Sequence, residues 1–272
     1  MAKINITHPV VSVSWLHDHL ETENLVVLDG TINKVFDASQ SQIPHTRLFD
    51  IKNKFSDTSA PFPSTFPSEA QFQESARALG INKDSAIVVY DDKGIYSSAR
   101  VWWLFKAFGY NNVAVLNGGF PEWNKAGYST ESMKPYVGAS GNFEASHKPE
   151  LMRFFNDMKL VSETKSHTII DARSEGRFKS LEAEPREGLR MGTIPNSVNL
   201  PFEDLLVDKQ LIANEAIASK FKNLADKETP IVFSCGSGIT ACVLALGATI
   251  SGYENIAVYD GSWTEWGSLV LE

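Results

Sequence analysis

Cysteine is scarce in this 272-residue chain, which contains only Cys235 and Cys242. If both residues lie on or near one helix, their spacing corresponds to about 10 Å of rise, which is too long for a disulfide. Two unpaired thiols fit a reducing compartment, so we expect a cytoplasmic protein. A mature organelle protein whose targeting peptide has been removed would have the same composition.

Long apolar runs and an excess of positive charge are also missing. No segment approaches the roughly 18 consecutive apolar residues of a membrane-spanning helix. The segment MAKINITHPVVSVSWL lacks the features of a secretory signal. The formal net charge of −8 argues against a general affinity for nucleic acid or anionic membranes, and we expect neither as a partner. A small anionic substrate stays possible, because a local pair of arginines can override the global charge.

The histidines show no metal-ligand spacing with the cysteines or with one another. We therefore expect neither a metal nor a cofactor. What the chain does have is an ordinary globular composition, with 43% hydrophobic and 21% charged residues. Its length suits one large domain or two of ordinary size.

Two stretches of the chain match each other at a separation of about half its length. The first runs from Ile87 to Trp123 and the second from Ile231 to Trp266. Earlier in each half an apolar strand ends in aspartate, as VVLD at Val26–Asp29 and TIID at Thr168–Asp171. Self-similarity over half a chain indicates a duplicated domain, since solenoids repeat at much shorter periods.

Each half alternates short β-branched runs with helical stretches. Ser68-Glu69-Ala70-Gln71 forms a capping-box pattern, and the helix that it begins should end at Gly80. Buried strands that alternate with helices predict a parallel sheet covered on both faces. The predicted strands are Ala86–Tyr90, Val113–Leu116, Pro230–Ser234 and Ile256–Val258, and the predicted helices run from Ser97 to Phe108 and from Thr240 to Ile250.

The sequence therefore predicts an α/β fold with two duplicated domains, each a parallel sheet flanked by helices. Residues 1–135 form the first domain and residues 148–272 the second. Residues 136–147 are predicted as the linker, because they lie in a stretch rich in Gly, Ser and Pro without apolar periodicity.

The two halves differ at the turn that follows one strand. PIVFS leads into CGSGIT in the second half, whereas the equivalent strand leads into DDKGIY, so Asp91 stands where Cys235 stands. A glycine-rich turn from a strand to a helix directs successive N–H groups inward and binds anions. We expect these amides to stabilise an exposed Cys235 thiolate, the reactive form of cysteine. Cys242 lies in an apolar helical run and is interpreted as a core residue.

The duplicated architecture, the loop CGSGITA, the strand IVFS and the segment YDGSWTEW resemble those of tandem-domain rhodaneses. The loop is similar to that of 3-mercaptopyruvate sulfurtransferases, and the resemblance covers essentially the whole chain. It implies a ping-pong cycle. The Cys235 thiolate takes sulfur from a small anionic donor as a persulfide and passes it to a thiol, cyanide or a carrier protein.

The resemblance also implies the remaining site residues of the loop. Ser237 is expected to assist at the donor through its hydroxyl group. Thr240 is expected to contact the donor, with capping of the following helix as the alternative. Gly236, Gly238 and Ile239 complete the expected substrate-binding loop.

Arg177 and Arg186 match the two arginines that bind the donor's carboxylate and keto oxygen in the family. A guanidinium group suits this role because its donors meet a carboxylate bidentately. The alternative is that both pair with the acids of the segment LEAEPRE, at 181–187. Arg173 follows the strand-ending Asp171 closely and is interpreted as its structural partner.

One departure concerns a proton relay from a histidine and an aspartate of the first domain to the loop serine. The chain reads SDTSAPFPSTFP at 56–67, with Ser64 at the histidine position, and Lys52 or Asn53 falls near the aspartate position. A persulfide cycle does not need the relay, since mercaptopyruvate leaves as an enolate that solvent can protonate. The candidate substitutes are Asp57 and His45.

Three alternatives stay open. Thiosulfate:cyanide sulfurtransferase uses the same chemistry, but its loop carries Arg and Lys where this loop has no charge. A cysteine phosphatase requires an arginine six positions after the cysteine, where this chain has Ala241. A non-catalytic rhodanese-fold binding module would form no persulfide.

Overall fold

The computed structural model describes residues 3–270, which form two compact units. Unit 1 contains the residues before Ala60, Phe66–Lys148 and Asp208–Leu211. Unit 2 contains Ala60–Thr65, Pro149–Val207 and the residues from Ile212 onward. The boundaries at 135 and 148 stay a prediction.

The helices and strands of the first half include every one that its sequence pattern predicts. In chain order they are β1 (Val10–Val11), α1 (Val13–His19), β2 (Leu25–Asp29), β3 (Ser41–Gln42), β4 (Thr46–Leu48), α2 (Glu69–Ala78), β5 (Ala86–Tyr90), α3 (Ser98–Ala107), β6 (Val113–Leu116), α4 (Gly119–Lys125) and β7 (Glu131–Ser132).

The main sheet of unit 1 has the strand order β1-β6-β5-β2-β4, and its strands are parallel. All five residues of β5 are buried, as expected for a central strand covered on both faces. Ser68 accepts a hydrogen bond from the N–H of Gln71 and so begins α2. The Gln71 side chain donates instead to Ser56 O, so only one half of the predicted capping box forms.

The second half repeats this design. Its elements are β8 (Met152–Arg153), α5 (Phe155–Thr164), β9 (Thr168–Asp171), α6 (Glu175–Phe178), β10 (Ser197–Asn199), β11 (Leu206–Val207), β12 (Gln210–Leu211), α7 (Asn214–Lys222), β13 (Ile231–Ser234), α8 (Ala241–Ile250), β14 (Ile256–Tyr259) and α9 (Ser262–Leu269), with 3₁₀ turns at Pro149–Leu151 and Phe202–Leu205.

The sheet of unit 2 is also parallel, in the order β10-β9-β13-β14-β8. β13 lies between β9 and β14, so its carboxyl end opens at the centre of one sheet edge. Eight of the ten residues of α8 are buried. The predicted fold class, two duplicated α/β domains with parallel sheets flanked by helices, is confirmed.

The segment predicted as a linker, residues 136–147, packs against unit 1. The N–H of Gly141 donates to Arg77 O at 2.8 Å, and the N–H of Phe143 donates to Ile81 O at 3.1 Å. Phe143 is fully buried. Composition alone does not show this, because one large aromatic side chain anchors an otherwise polar segment.

No helix within residues 3–270 is both long enough and apolar enough to cross a membrane.

Candidate active site

Cys235 follows β13 directly and is 1% exposed. The expectation of an exposed thiol is therefore wrong. The reason is the backbone: the N–H of Cys235 donates to Ser262 Oγ at 3.0 Å, and its carbonyl accepts from the N–H of Trp263 at 3.0 Å. Because the first turn of α9 holds both the N–H and the carbonyl of Cys235, its side chain is buried inside the domain.

The loop from Gly236 to Thr240 supplies a set of backbone donors next to the cysteine. Within the described part of the chain, the N–H groups of Gly236, Ser237, Ile239 and Thr240 have no protein acceptor. Thr240 makes no capping hydrogen bond with its side chain, so the capping alternative is not observed. Four of the five predicted site residues of the loop thus present backbone N–H donors without a protein acceptor, within residues 3–270, just before α8.

Two glycines of the loop are required for different reasons. Gly238 has φ +73, in the left-handed region where a side chain is strained. A Cβ atom at Gly236 would lie 2.9 Å from an Nη atom of Arg177. Gly238 therefore permits the turn, and Gly236 leaves room for a guanidinium group.

Unit 1 shows what such a loop holds when its first residue is an acid. Asp91 is fully buried, and its Oδ1 accepts from the N–H of Lys93 at 2.9 Å. Its Oδ2 accepts from the N–H groups of Tyr96 and Ser98, both at 2.8 Å, and from Ser98 Oγ at 2.6 Å. Because Asp91 stands where Cys235 stands, the repeat shows that this kind of turn holds a buried acidic side chain with backbone N–H groups.

Ser262 contacts the loop at two points and was missed by sequence reasoning. Its Oγ accepts from the N–H groups of Cys235 and Gly238 at 3.0 and 3.1 Å, and lies 3.9 Å from Cys235 Sγ. Its φ of 49 places a serine in the left-handed region. The repeat contains the signal, since Gly119, with φ +53, stands at the equivalent position.

Arg177 is the predicted substrate-binding residue that the structure brings to the loop. It lies on α6, with its side chain 23% exposed. Its Nη2 donates to Glu184 Oε2 at 2.6 Å, so the guanidinium pairs with an acid and also borders Gly236. The pairing of Arg177 with an acid of the segment 181–187 is therefore observed, and its role in binding the donor stays a prediction.

A buried ion-pair network holds Arg177 in place. Arg173, whose side chain has no exposed area, donates to both carboxylate oxygens of Asp171 and to Glu184 Oε1 at 2.6 Å. Burial opposes the charge of Arg173, but the two acids outweigh burial and raise its pKa. Arg173 is thus a structural partner of Asp171, and Glu184 is shared between two arginines.

Arg186 is placed differently. Its side chain is exposed, and within the described residues only its backbone carbonyl makes a hydrogen bond, from the N–H of Leu189 at 3.2 Å. The structure brings Arg177 to the loop and shows no such contact for Arg186. Its role in binding the donor stays a prediction.

The candidate relay residues are engaged elsewhere. His45 Nε2 lies 3.2 Å from Glu21 Oε1 on the surface. Asp57 Oδ1 accepts from the N–H and Oγ of Ser59, which closes a local turn. Ser64, at the histidine position, is 6% exposed.

Cys242 is fully buried, and its Sγ donates to Gly238 O at 3.3 Å. Neither Cys235 nor Cys242 forms a disulfide. The interpretation of Cys242 as a core residue agrees with this packing.

Two α/β domains, each with a parallel sheet, are the architecture of a tandem rhodanese. The second domain holds Cys235 at the start of a loop lined by backbone N–H groups. The family model described as rhodanese-like domain matches residues 12–126 and again residues 156–269. The chain belongs to the rhodanese family.

Individual relatives carry this further. The chain is 37% identical to thiosulfate/3-mercaptopyruvate sulfurtransferase 2 of Arabidopsis thaliana, over 97% of this chain and 86% of that one. It is 35% identical to human 3-mercaptopyruvate sulfurtransferase, over 98% and 94% of the two chains. The crystal structure of SseA from Escherichia coli, solved in work on 3-mercaptopyruvate sulfotransferases, has a TM-score of 0.83 at 30% identity and covers 94% of this chain and 99% of its own.

Proposed function

We propose that the protein is a sulfurtransferase that moves sulfane sulfur from 3-mercaptopyruvate to a thiophilic acceptor through a persulfide on Cys235. The single observation that carries the proposal is the position of Cys235. It stands at the start of a loop in which the N–H groups of Gly236, Ser237, Ile239 and Thr240 have no protein acceptor among residues 3–270. At the equivalent position the sister unit holds a carboxylate with four hydrogen bonds.

The geometry supports a two-step cycle. In the first step Cys235 Sγ attacks the sulfur of the donor; the Sγ–S bond forms and the donor's C–S bond breaks. The electron pair moves to the neighbouring carbonyl as an enolate, which solvent protonates to pyruvate. In the second step the acceptor attacks the outer sulfur, and the Cys235 thiolate leaves.

The donor's carboxylate is proposed to bind Arg177. Its guanidinium borders Gly236 and is only 23% exposed. A partly desolvated arginine binds a carboxylate more strongly than an exposed one. The loop residues from Gly236 to Thr240 carry no charge, which favours a monoanionic donor over the dianion thiosulfate.

Parallel steady-state kinetics test the donor. The proposal predicts a higher kcat/KM for 3-mercaptopyruvate than for thiosulfate, and loss of both activities in Cys235→Ser. A preference for thiosulfate of about tenfold or more, which is about 1.4 kcal/mol of transition-state binding, would make thiosulfate:cyanide sulfurtransferase the better description.

The acceptor and the compartment are part of the same proposal. A small thiol, cyanide or a sulfur-carrier protein can each attack a persulfide, and we propose a cytoplasmic location because Cys235 and Cys242 form no disulfide. Cell fractionation with an antibody to the protein tests the location, and a signal confined to an organelle would refute it.

A further inference from the structure

Thr264 makes two hydrogen bonds to one carbonyl oxygen of the loop that follows Cys235. Its N–H donates to Gly236 O at 2.9 Å, and its Oγ1 donates to the same oxygen at 2.6 Å. The adjacent Trp263 N–H donates to Cys235 O at 3.0 Å. Thr264 is 4% exposed, so water competes little for these bonds. Two successive carbonyls of the loop are therefore anchored to the first turn of α9.

This anchoring fixes the direction of an amide. A trans peptide unit is planar, and its C=O and N–H point in opposite directions, so holding Gly236 O also holds the N–H of Ser237. In unit 1 the corresponding N–H, that of Lys93, donates to Asp91 Oδ1 at 2.9 Å. By this correspondence the Ser237 amide faces the atom attached to Sγ when Cys235 carries a second sulfur.

No equivalent of this anchor is observed in the described part of the sister unit. Its helix α4 has Pro121 at the position of Thr264, and proline has neither an N–H nor a hydroxyl group. From the first turn of α4, the N–H of Phe120 donates to Asp91 O at 3.1 Å. The Asp91 carboxylate is always present and orders its own loop. A persulfide sulfur leaves in every cycle, so the catalytic loop needs a support that does not depend on it.

We propose that Thr264 is a positioning residue for sulfur transfer, which holds the Gly236–Ser237 peptide so that the Ser237 N–H faces the outer sulfur of the Cys235 persulfide. The inference rests on the proposed function. An amide that is already oriented stabilises the anionic sulfur without reorganisation. Thr264 itself takes part in no bond making or breaking.

The test compares Thr264→Val, which removes the hydroxyl group at constant shape, with Thr264→Ser, which restores it. Thr249→Val is the matched control, because Thr249 Oγ1 also donates to a backbone carbonyl, Ala245 O, at 2.8 Å inside α8. Each protein is loaded with 3-mercaptopyruvate, and the persulfide is followed by intact-mass spectrometry without acceptor. Rates are expressed per folded molecule, so that a loss of stability does not change the measured rate.

Thr264→Val should shorten the persulfide half-life about 3- to 10-fold, the effect of one hydrogen bond. Thr264→Ser and Thr249→Val should keep the persulfide half-life of the wild-type protein. The pH profile of iodoacetamide alkylation at Cys235 should stay unchanged, since no hydrogen bond joins the Ser237 N–H to Cys235 Sγ within the described residues.

Two results would overturn the inference. One is an unchanged half-life in Thr264→Val; the other is a parallel change in half-life and alkylation profile, which indicates a general disturbance of the loop. If the unmodified protein forms no persulfide at all, the proposed function itself fails. The two failures are therefore distinguishable.

Discussion

The Arg177 side chain pairs with Glu184 and also borders the loop that follows Cys235. Glu184 neutralises part of its charge and fixes its orientation, while the space left by the missing side chain of Gly236 lets the guanidinium border the loop. A pre-oriented guanidinium loses little entropy when it binds a carboxylate. Binding of the donor's carboxylate by Arg177 stays a prediction.

Replacing Arg177 by glutamine should raise KM for 3-mercaptopyruvate about 10- to 100-fold, because a charged hydrogen bond to the donor is lost. Lys179→Gln is the matched control, since Lys179 is an exposed neighbour that pairs with Glu175 on the surface. Steady-state kinetics on both variants decide the point. Equal KM values for Arg177→Gln and the control would show that the carboxylate binds elsewhere.

At the scale of elements, both sheets place a buried aspartate at the end of the strand next to an edge strand, and each aspartate has a different partner. Asp171 at the end of β9 pairs with Arg173, and Asp29 at the end of β2 pairs with Lys34 at 2.7 Å. Lys34 also contacts Asp92. The duplication has therefore preserved the buried charge while its partner diverged.

Glu184→Ala should destabilise the protein by about 3–5 kcal/mol, because Arg173 then keeps a buried charge with one acid instead of two. The Glu184 side chain is 2% exposed, so water does not replace the lost partner. Glu187→Ala, on the exposed surface nearby, should stay within about 0.5 kcal/mol. Urea unfolding measures both, and similar values for the two variants would contradict the buried network.

Lys34 should give a stability difference that depends on alkaline pH. Burial opposes its charge, but Asp29 and Asp92 outweigh burial and raise its pKa above the ordinary 10.5. Its contribution is therefore complete below pH 10.5 and is lost as the pH rises through the higher folded-state value.

We therefore compare the unfolding free energies of the wild-type protein and Lys34→Met. Their difference should be constant around neutral pH and should become smaller above pH 10.5. Lys159→Met, at an exposed position, should show a small difference at every pH. Denaturant titrations between neutral and alkaline pH provide the measurement. A difference for Lys34→Met that stays constant through the alkaline range would refute the ion pairs.

At the scale of the whole molecule, the duplication lets the sequence predict much of the fold, because each half can be compared with the other. Strands such as β5, β6 and β9 and helices such as α8 follow from local patterns, and each has the predicted bounds within one residue. The nucleophile follows from comparing Asp91 with Cys235.

Contacts that join distant segments were not predicted. Ser262 and Thr264 reach the loop from α9, and a capping pattern or an apolar period carries no information about such a contact. The burial of Cys235 was missed for the same reason, since bonds from α9 hold its backbone inside the domain. Positions at which the two repeats differ, such as Pro121 and Thr264, are where the sequence indicates that α9 has a role that α4 lacks.

Asp91→Ala should show that the two sister loops have different roles, one in stability and one in sulfur transfer. The loop of unit 1 loses the acceptor for three N–H groups, which should cost about 2–4 kcal/mol in unfolding free energy. The extent of persulfide formation at Cys235 per folded molecule should stay unchanged. Thermal unfolding and donor-loading measurements test both parts, and a loss of loading in the folded variant would show that Asp91 takes part in sulfur transfer.

The central claim is that one sulfur atom resides on Cys235 between donor and acceptor. Intact-mass spectrometry after incubation with 3-mercaptopyruvate, followed by peptide mapping, tests it most directly. The predicted result is a gain of one sulfur atom on the peptide that contains Cys235, absent in Cys235→Ser and removed by a thiol. No gain of mass, or a gain that persists in Cys235→Ser, would contradict the account.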